Sequence, residues 1–374
     1  MRENIFKNLK KSDPWLFLFS ALLSIFGLVV LYSLGIAQKD LSLFKKQLIF
    51  FLIGIFLAIF LSLLDFRAVK ESSFFVFFLY LFSILILVGL FFLGSTIRGV
   101  RAWYVFGGFT FQPVEIVKIV YILLFAKYFS QRHIELYHKE HIILSAIYAF
   151  LPAGLVFLQP DFGSAAILIM IWLGMMLIAG IKRKHLLIMI AIGIVTLLIG
   201  WNFILSPYQK ERITTFLQPY LNPQGTYLDP SGSGYHILQS IIAVGSGGIF
   251  GKGFNAPYTQ AKLGFLPENH TDFIFATTCE MFGFVGIFVL FLLFLLIFWR
   301  LLKIAFVSKD NFSKLVIGGF MILVGGGAFV NIAMNVGLLP ITGVPLPFLS
   351  YGGSSIISLF VGVGIVESIK INNS

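Results

Sequence analysis

Asp272 lies in LPENHTDFIFATTCEMFG, residues 266–283, where a polar, glycine-rich region gives way to an almost wholly apolar run reaching Trp299. A charge at the edge of hydrocarbon is costly, so it marks either a helix start or chemistry. As a helix start, Asn269 would be the cap and Asp272 the third helical residue, a carboxylate at the positive end of the dipole. As chemistry, Asp272 would be a general base, partly buried and beside cations of the preceding loop. The residues alone leave both readings open.

Other polar groups interrupt apolar runs. Glu115 and Lys118 are three residues apart in QPVEIVKIVYILLFAKYFS, hence on one helical face, as an ion pair locking helices or as part of a polar cavity. Asp161 in QPDFGSA suits a helix cap after the Pro160 turn. GSGGIFGKG lacks the G-x-x-x-x-G-K-[ST] pattern of a nucleotide phosphate loop, since Ser246 replaces the first glycine and Gly253 follows Lys252. It reads as a turn cluster, or as backbone approaching a ligand with Lys252 meeting a phosphate. His133, His138 and His141 lack zinc-ligand spacing and read as a solvated loop. Cys279, the single cysteine, excludes an intramolecular disulfide framework and reads as a small core residue.

The elements that must position these groups are membrane helices. Of 374 residues, 58% are hydrophobic and 11% charged, against roughly 25% charged in soluble domains. The apolar runs do not alternate as barrel strands would. The N-terminal basic segment precedes a run too long for a cleavable signal peptide, so it leads into a first span. The chain therefore reads as all-α and integral to the membrane, one polytopic domain over 1–374. Ten spans are expected, at about 15–37, 45–64, 74–93, 113–130, 142–158, 163–180, 185–205, 272–299, 314–338 and 349–369. The fourth is the weakest, because it carries Glu115 and Lys118. A long loop, 206–271, lies between spans seven and eight and is expected to hold an amphipathic or re-entrant helix near GYHILQSIIAVGSGG. GVPLPFLSYGGSS before the last span permits a broken helix. Lys and Arg cluster on the side holding both termini, which is therefore the cytoplasmic side, with the long loop outside. The net charge of +11 fits this rule and contact with anionic lipid rather than nucleic acid.

GVRAWYVFGGFTFQPVEIVK, QPDFGSA, GSGGIFGKGF, LPENHTDFIFA and GVPLPFLSYGGSS occur in the order and spacing of one family. Across nearly its whole length the chain resembles the SEDS family (shape, elongation, division and sporulation). Two departures are visible: Ala102 separates Arg101 from Trp103, which leaves Arg98 or Arg101 for the family arginine, and Val114 replaces a serine after the Gln-Pro pair.

The resemblance implies a peptidoglycan glycosyltransferase of the bacterial cytoplasmic membrane, polymerising lipid II into a growing glycan strand with a class B penicillin-binding protein as partner. It assigns the essential aspartate to Asp272. Substrate contacts are expected from Arg101, Trp103, Glu115, Lys118, Asp161, Arg212, Lys252, Lys262 and His270; a departing diphosphate needs positive charge, for which Arg101, Arg212, Lys252 and Lys262 are the candidates. Mg²⁺ or Mn²⁺ is a candidate to share that role, without a dedicated protein cage. Two other classes stay open: a lipid II flippase, and a non-enzymatic scaffold of the cell-wall synthase.

Overall fold

The computed structural model describes residues 12–97, 99–132, 139–182, 184–189, 191, 193, 210, 214, 216 and 233–373. The expected spans begin at short polar caps. Helix α1 (Pro14–Gln38) starts with Asp13 accepting the Trp15 amide at 3.2 Å and Pro14 in the first turn. After α2 (Ser42–Leu63) and the short α3 (Arg67–Glu71), Ser72 caps α4 (Ser73–Leu93). These caps satisfy amide groups that have no partner within the helix.

Three strands follow: β1 (Ser95–Ile97), β2 (Val100–Phe106) and β3 (Phe109–Phe111), antiparallel in the order β1-β2-β3. The all-α reading holds for the bundle, and this small sheet is added to it. Phe106 pairs with Phe109, so Gly107 and Gly108 form a two-residue hairpin turn, both at positive φ (52° and 91°). That conformation suits Gly-Gly between aromatic and β-branched strands.

Helices α5 (Pro113–Gln131), α6 (Lys139–Leu158) and α7 (Phe162–Ile178) come next, then α8 (Ser233–Ser246), α9 (Ile274–Val307), α10 (Asn311–Asn335) and α11 (Gly353–Asn373). Among the described residues, α1, α2, α4, α6, α9, α10 and α11 are long and apolar enough to cross a membrane. The expected fourth and sixth spans are the helices α5 and α7, the latter 17 residues long. The expected seventh lies mostly outside the described residues. The helix expected in the long loop is α8, whose 14 residues are too few to span.

Helix α5 explains its own weak hydropathy. It is the central helix, packed against α4, α7, α10 and α11, with Tyr121, Phe125 and Phe129 fully buried. Protein rather than lipid surrounds it, so Glu115, Lys118 and Lys127 can be buried along it. Peripheral helices instead present phenylalanine outward, with Phe56 67% and Phe92 82% exposed, as lipid-facing surfaces do. Between α2 and α11, Gly54 and Ala58 meet Phe360 and Gly364, a seam of small residues that lets membrane helices approach closely. At one end of the bundle, Arg300 Nε donates to both Asp13 oxygens, at 3.1 and 3.0 Å, and Lys370 Nζ reaches Oδ2 at 3.2 Å. This ties α1, α9 and α11 together opposite the sheet.

Candidate active site

At the sheet end lies a cavity of about 760 Å³. Its wall includes Asp272, Asp161, Trp103 and His270, four of the residues singled out by sequence, together with Lys46, Gln112, His236, Glu268 and Tyr351.

Asp272 is held by its main chain. Asn331 and Asn335 of α10 donate their Nδ2 groups to the Asp272 carbonyl at 3.0 and 2.9 Å. The Oδ1 of Asn335 accepts the Ala276 amide at 3.1 Å, one of the early α9 donors that a cap must satisfy. Helix α9 begins at Ile274 with Phe273 as cap residue, and Asn269 spends its Nδ2 on the Ala261 carbonyl at 2.8 Å. The capping box expected from Asn269 and Asp272 is therefore not formed: Asp272 precedes the helix, and Asn335 caps it from a neighbouring element. The Asp272 carboxylate abuts the 341–345 turn, where a Cβ built on Gly343 would lie 3.7 Å from Oδ2. Ser350 fixes this approach. Its Oγ donates to the Thr271 carbonyl at 2.7 Å and accepts the Leu346 amide at 2.8 Å. Tyr351 N–H donates to the His270 carbonyl at 2.8 Å, and the two rings meet edge to face.

Asp161 does cap, as expected. Its Oδ1 accepts the Ser164 amide at 3.0 Å, while Oδ2 accepts Gln112 Nε2 at 3.1 Å and joins α7 to the start of α5. Burial pushes its carboxyl above the ordinary range; the Ser164 hydrogen bonds and the Lys118 charge pull it back. Glu115 and Lys118 form a buried ion pair at 2.7 Å. Their charges act on Asp161, though neither side chain lines the cavity.

The other expected cations lie elsewhere. Arg101 donates to the Phe91 carbonyl at 3.0 Å and anchors the sheet on α4. Lys262 donates to the Phe254 carbonyl at 2.7 Å; burial pulls its ammonium down from the ordinary lysine range, against the charge of Glu280. Lys252 pairs with fully buried Glu280 at 2.6 Å. Glu280 also accepts the Gln260 amide at 2.8 Å. The glycine cluster forms a backbone latch on α9: Lys252 and Gly253 amides donate to the Glu280 and Met281 carbonyls. Gly283 (φ 61°, ψ −158°) makes the kink that receives it, and a Cβ there would sit 2.3 Å from the Gly251 nitrogen. Arg98, Arg212, His133 and His138 lie outside the described residues. Cys279 is buried in the core as expected, its thiol uninvolved in the cavity.

The sequence reading passed over Lys46, Gln112, His236, Glu268, Asn331 and Asn335. The two asparagines carried a signal: polar residues four apart in an apolar span share a face and seek a partner. Among the described residues, no three His, Cys, Asp or Glu side chains gather as a metal site.

Residues 14–374 match the family described as FtsW/RodA/SpoVE cell cycle proteins. The chain belongs to this family. It is 34% identical over 357 residues to peptidoglycan glycosyltransferase MrdB of Escherichia coli K12, covering 96% of this chain and 93% of that protein. It is 34% identical over 378 residues to stage V sporulation protein E of Bacillus subtilis, covering 96% and 98%. A chain of a solved peptidoglycan synthase complex, in which polymerisation and crosslinking are coordinated, superposes with TM-score 0.79 at 32% identity, covering 97% and 98%. RodA of Thermus thermophilus does so with TM-score 0.70 at 28% identity, covering 96% of each chain. The apolar helices and the family together make this a multi-pass inner-membrane protein.

Proposed function

We propose that this chain is a peptidoglycan glycosyltransferase that polymerises lipid II, with Asp272 as general base. The observation that carries this is the placement of Asp272, fixed through its main chain by Asn331 and Asn335, in the wall of a cavity large enough for sugar units. The relatives named as glycosyltransferases support it.

The chemistry is one inverting displacement. The acceptor 4-hydroxyl oxygen bonds to the donor C1 and passes its proton to an Asp272 oxygen. The bond from C1 to the diphosphate oxygen breaks, and undecaprenyl diphosphate leaves with the electron pair. No covalent enzyme intermediate and no second carboxylate nucleophile are required. Trp103, His270 and Asp161 line the cavity as substrate contacts. Glu115 and Lys118 act on it through Asp161; Arg101 anchors the sheet that forms part of its wall, and Lys252 and Lys262 brace the 252–262 loop. The proposed arrangement has ten spans, counted from the apolar runs, with both termini cytoplasmic and the cavity facing outward, as the lysine and arginine distribution supports. A class B penicillin-binding protein is the proposed partner, in keeping with the synthase complex that the fold resembles.

Vesicles carrying the purified chain, preferably with its partner, test this reading. Labelled lipid II should be converted to glycan strands. Translocation of lipid II without polymer would instead establish a flippase, and partner binding without either activity a scaffold.

A further inference from the structure

The displacement expels a diphosphate, and an expelled diphosphate needs a cation beside it. Arg101, Lys252 and Lys262 do not line the cavity; their side chains lie against the Phe91 carbonyl, Glu280 and the Phe254 carbonyl. Among the described residues, Lys46 is the lysine or arginine that lines the cavity. We propose that Lys46 binds the diphosphate of the lipid-linked substrate; the inference deepens the polymerase reading and rests on it.

Three features of Lys46 support this assignment. First, its charge is oriented but not neutralised. The Nζ donates to the Gly108 carbonyl at 3.3 Å, an uncharged acceptor that takes one of three ammonium protons. Its charge acts on Asp40, which is exposed and already engaged by the Ser42 amide and hydroxyl at 2.8 and 2.9 Å, while Asp161, Glu268 and Asp272 share the cavity wall. Second, its depth is right. Lys46 lies in the second turn of α2, where the chain enters the apolar part of a span, the level at which a lipid's phosphates meet protein and lysine stems reach the interface. Third, its surroundings are built. The next residue, Gln47, bridges α2 to the 350–352 segment, donating to the Ser350 carbonyl at 3.2 Å and accepting the Gly352 amide at 3.1 Å. One helical turn on, Phe50 meets Phe109 edge to face at 5.9 Å. Thus the ammonium, the hairpin and the Gly352–Ser355 wall are held in one arrangement around the cavity. Phe50 and Phe109 supply apolar surface beside the charge, as a lipid-linked diphosphate requires.

Full-length protein in nanodiscs tests the assignment, with undecaprenyl diphosphate, undecaprenyl monophosphate and phosphatidylglycerol as probes. The variants are Lys46→Gln, Lys46→Arg and, as a control, the adjacent Lys45→Gln. Lys46→Gln should weaken undecaprenyl diphosphate binding about tenfold, the loss of one charge-assisted hydrogen bond, and raise KM for lipid II. Lys46→Arg should recover most of the affinity, and Lys45→Gln should bind like wild type. The monophosphate should bind more weakly throughout. Unchanged diphosphate binding in Lys46→Gln overturns the assignment. Equal loss of phosphatidylglycerol binding also overturns it, because it would make Lys46 a contact for ordinary lipid headgroups. A wild-type chain that binds the diphosphate through Lys46 yet forms no glycan would strike the polymerase reading alone.

Discussion

The Asn335 side chain links α10 to both sides of the α9 start, donating to the Asp272 carbonyl at 2.9 Å and accepting the Ala276 amide at 3.1 Å. It is fully buried. Replacement by leucine leaves the Ala276 amide without its partner, at about 1–3 kcal/mol for the unsatisfied group, and leaves the Asp272 carbonyl to Asn331 alone. Asn335→Leu should therefore lower the midpoint of thermal unfolding and slow glycan synthesis, because the base loses its anchor. A variant with wild-type stability and rate would show that Asn331 alone positions Asp272.

Lys252 is engaged in the latch through Glu280 and is absent from the cavity wall. Lys252→Met strands the Glu280 charge in the interior and should cost about 3 kcal/mol, the lower end for breaking a buried pair. At temperatures where the variant is folded, KM for lipid II should match wild type. A raised KM without loss of stability would restore Lys252 as a phosphate contact.

Glu115 and Lys118 make the converse case for pairing. Either Glu115→Gln or Lys118→Met leaves one buried charge unpaired and should destabilise by about 3–5 kcal/mol. The double variant Glu115→Gln/Lys118→Met should recover much of this in a denaturation series. Additive losses would mean that each charge has a separate partner.

Asp161 gives a pH dependence with a definite sign. Its carboxyl is pushed above 3.8 in the fold, chiefly by burial. Such a group contributes stability below its unfolded pKa and loses that contribution as pH rises through the folded value. Asparagine caps as well as aspartate and does not titrate. Asp161→Asn should therefore gain on wild type as pH is raised from about 4 to 7. A difference in unfolding midpoint that stays constant over that window contradicts the assignment.

The spans were legible because apolar runs of their length have few alternatives, and the observed α1 and α4 fall within two residues of expectation. The central α5 looked weak for a physical reason: hydropathy measures contact with lipid, and α5 touches protein. The hairpin was written in the sequence as Gly-Gly between VRAWYVF and FTF, a local signal easily missed beside long apolar runs. The cap on α9 was not legible locally. Asn269 and Asp272 have the right types and spacing, but the partner that satisfies the Ala276 amide comes from 59 residues away. The same limit hid the fates of Lys252 and Lys262, whose charges looked available until Glu280 and the Phe254 carbonyl were placed beside them.

The account turns on the Asp272 carboxylate as proton acceptor, and the rate of glycan synthesis by Asp272→Asn reads it most directly. The variant should fold with the wild-type unfolding midpoint and bind undecaprenyl diphosphate normally. Its rate should fall by at least about a hundredfold, the usual loss when a general base is removed. Glycan strands made by Asp272→Asn at the wild-type rate would contradict the central claim.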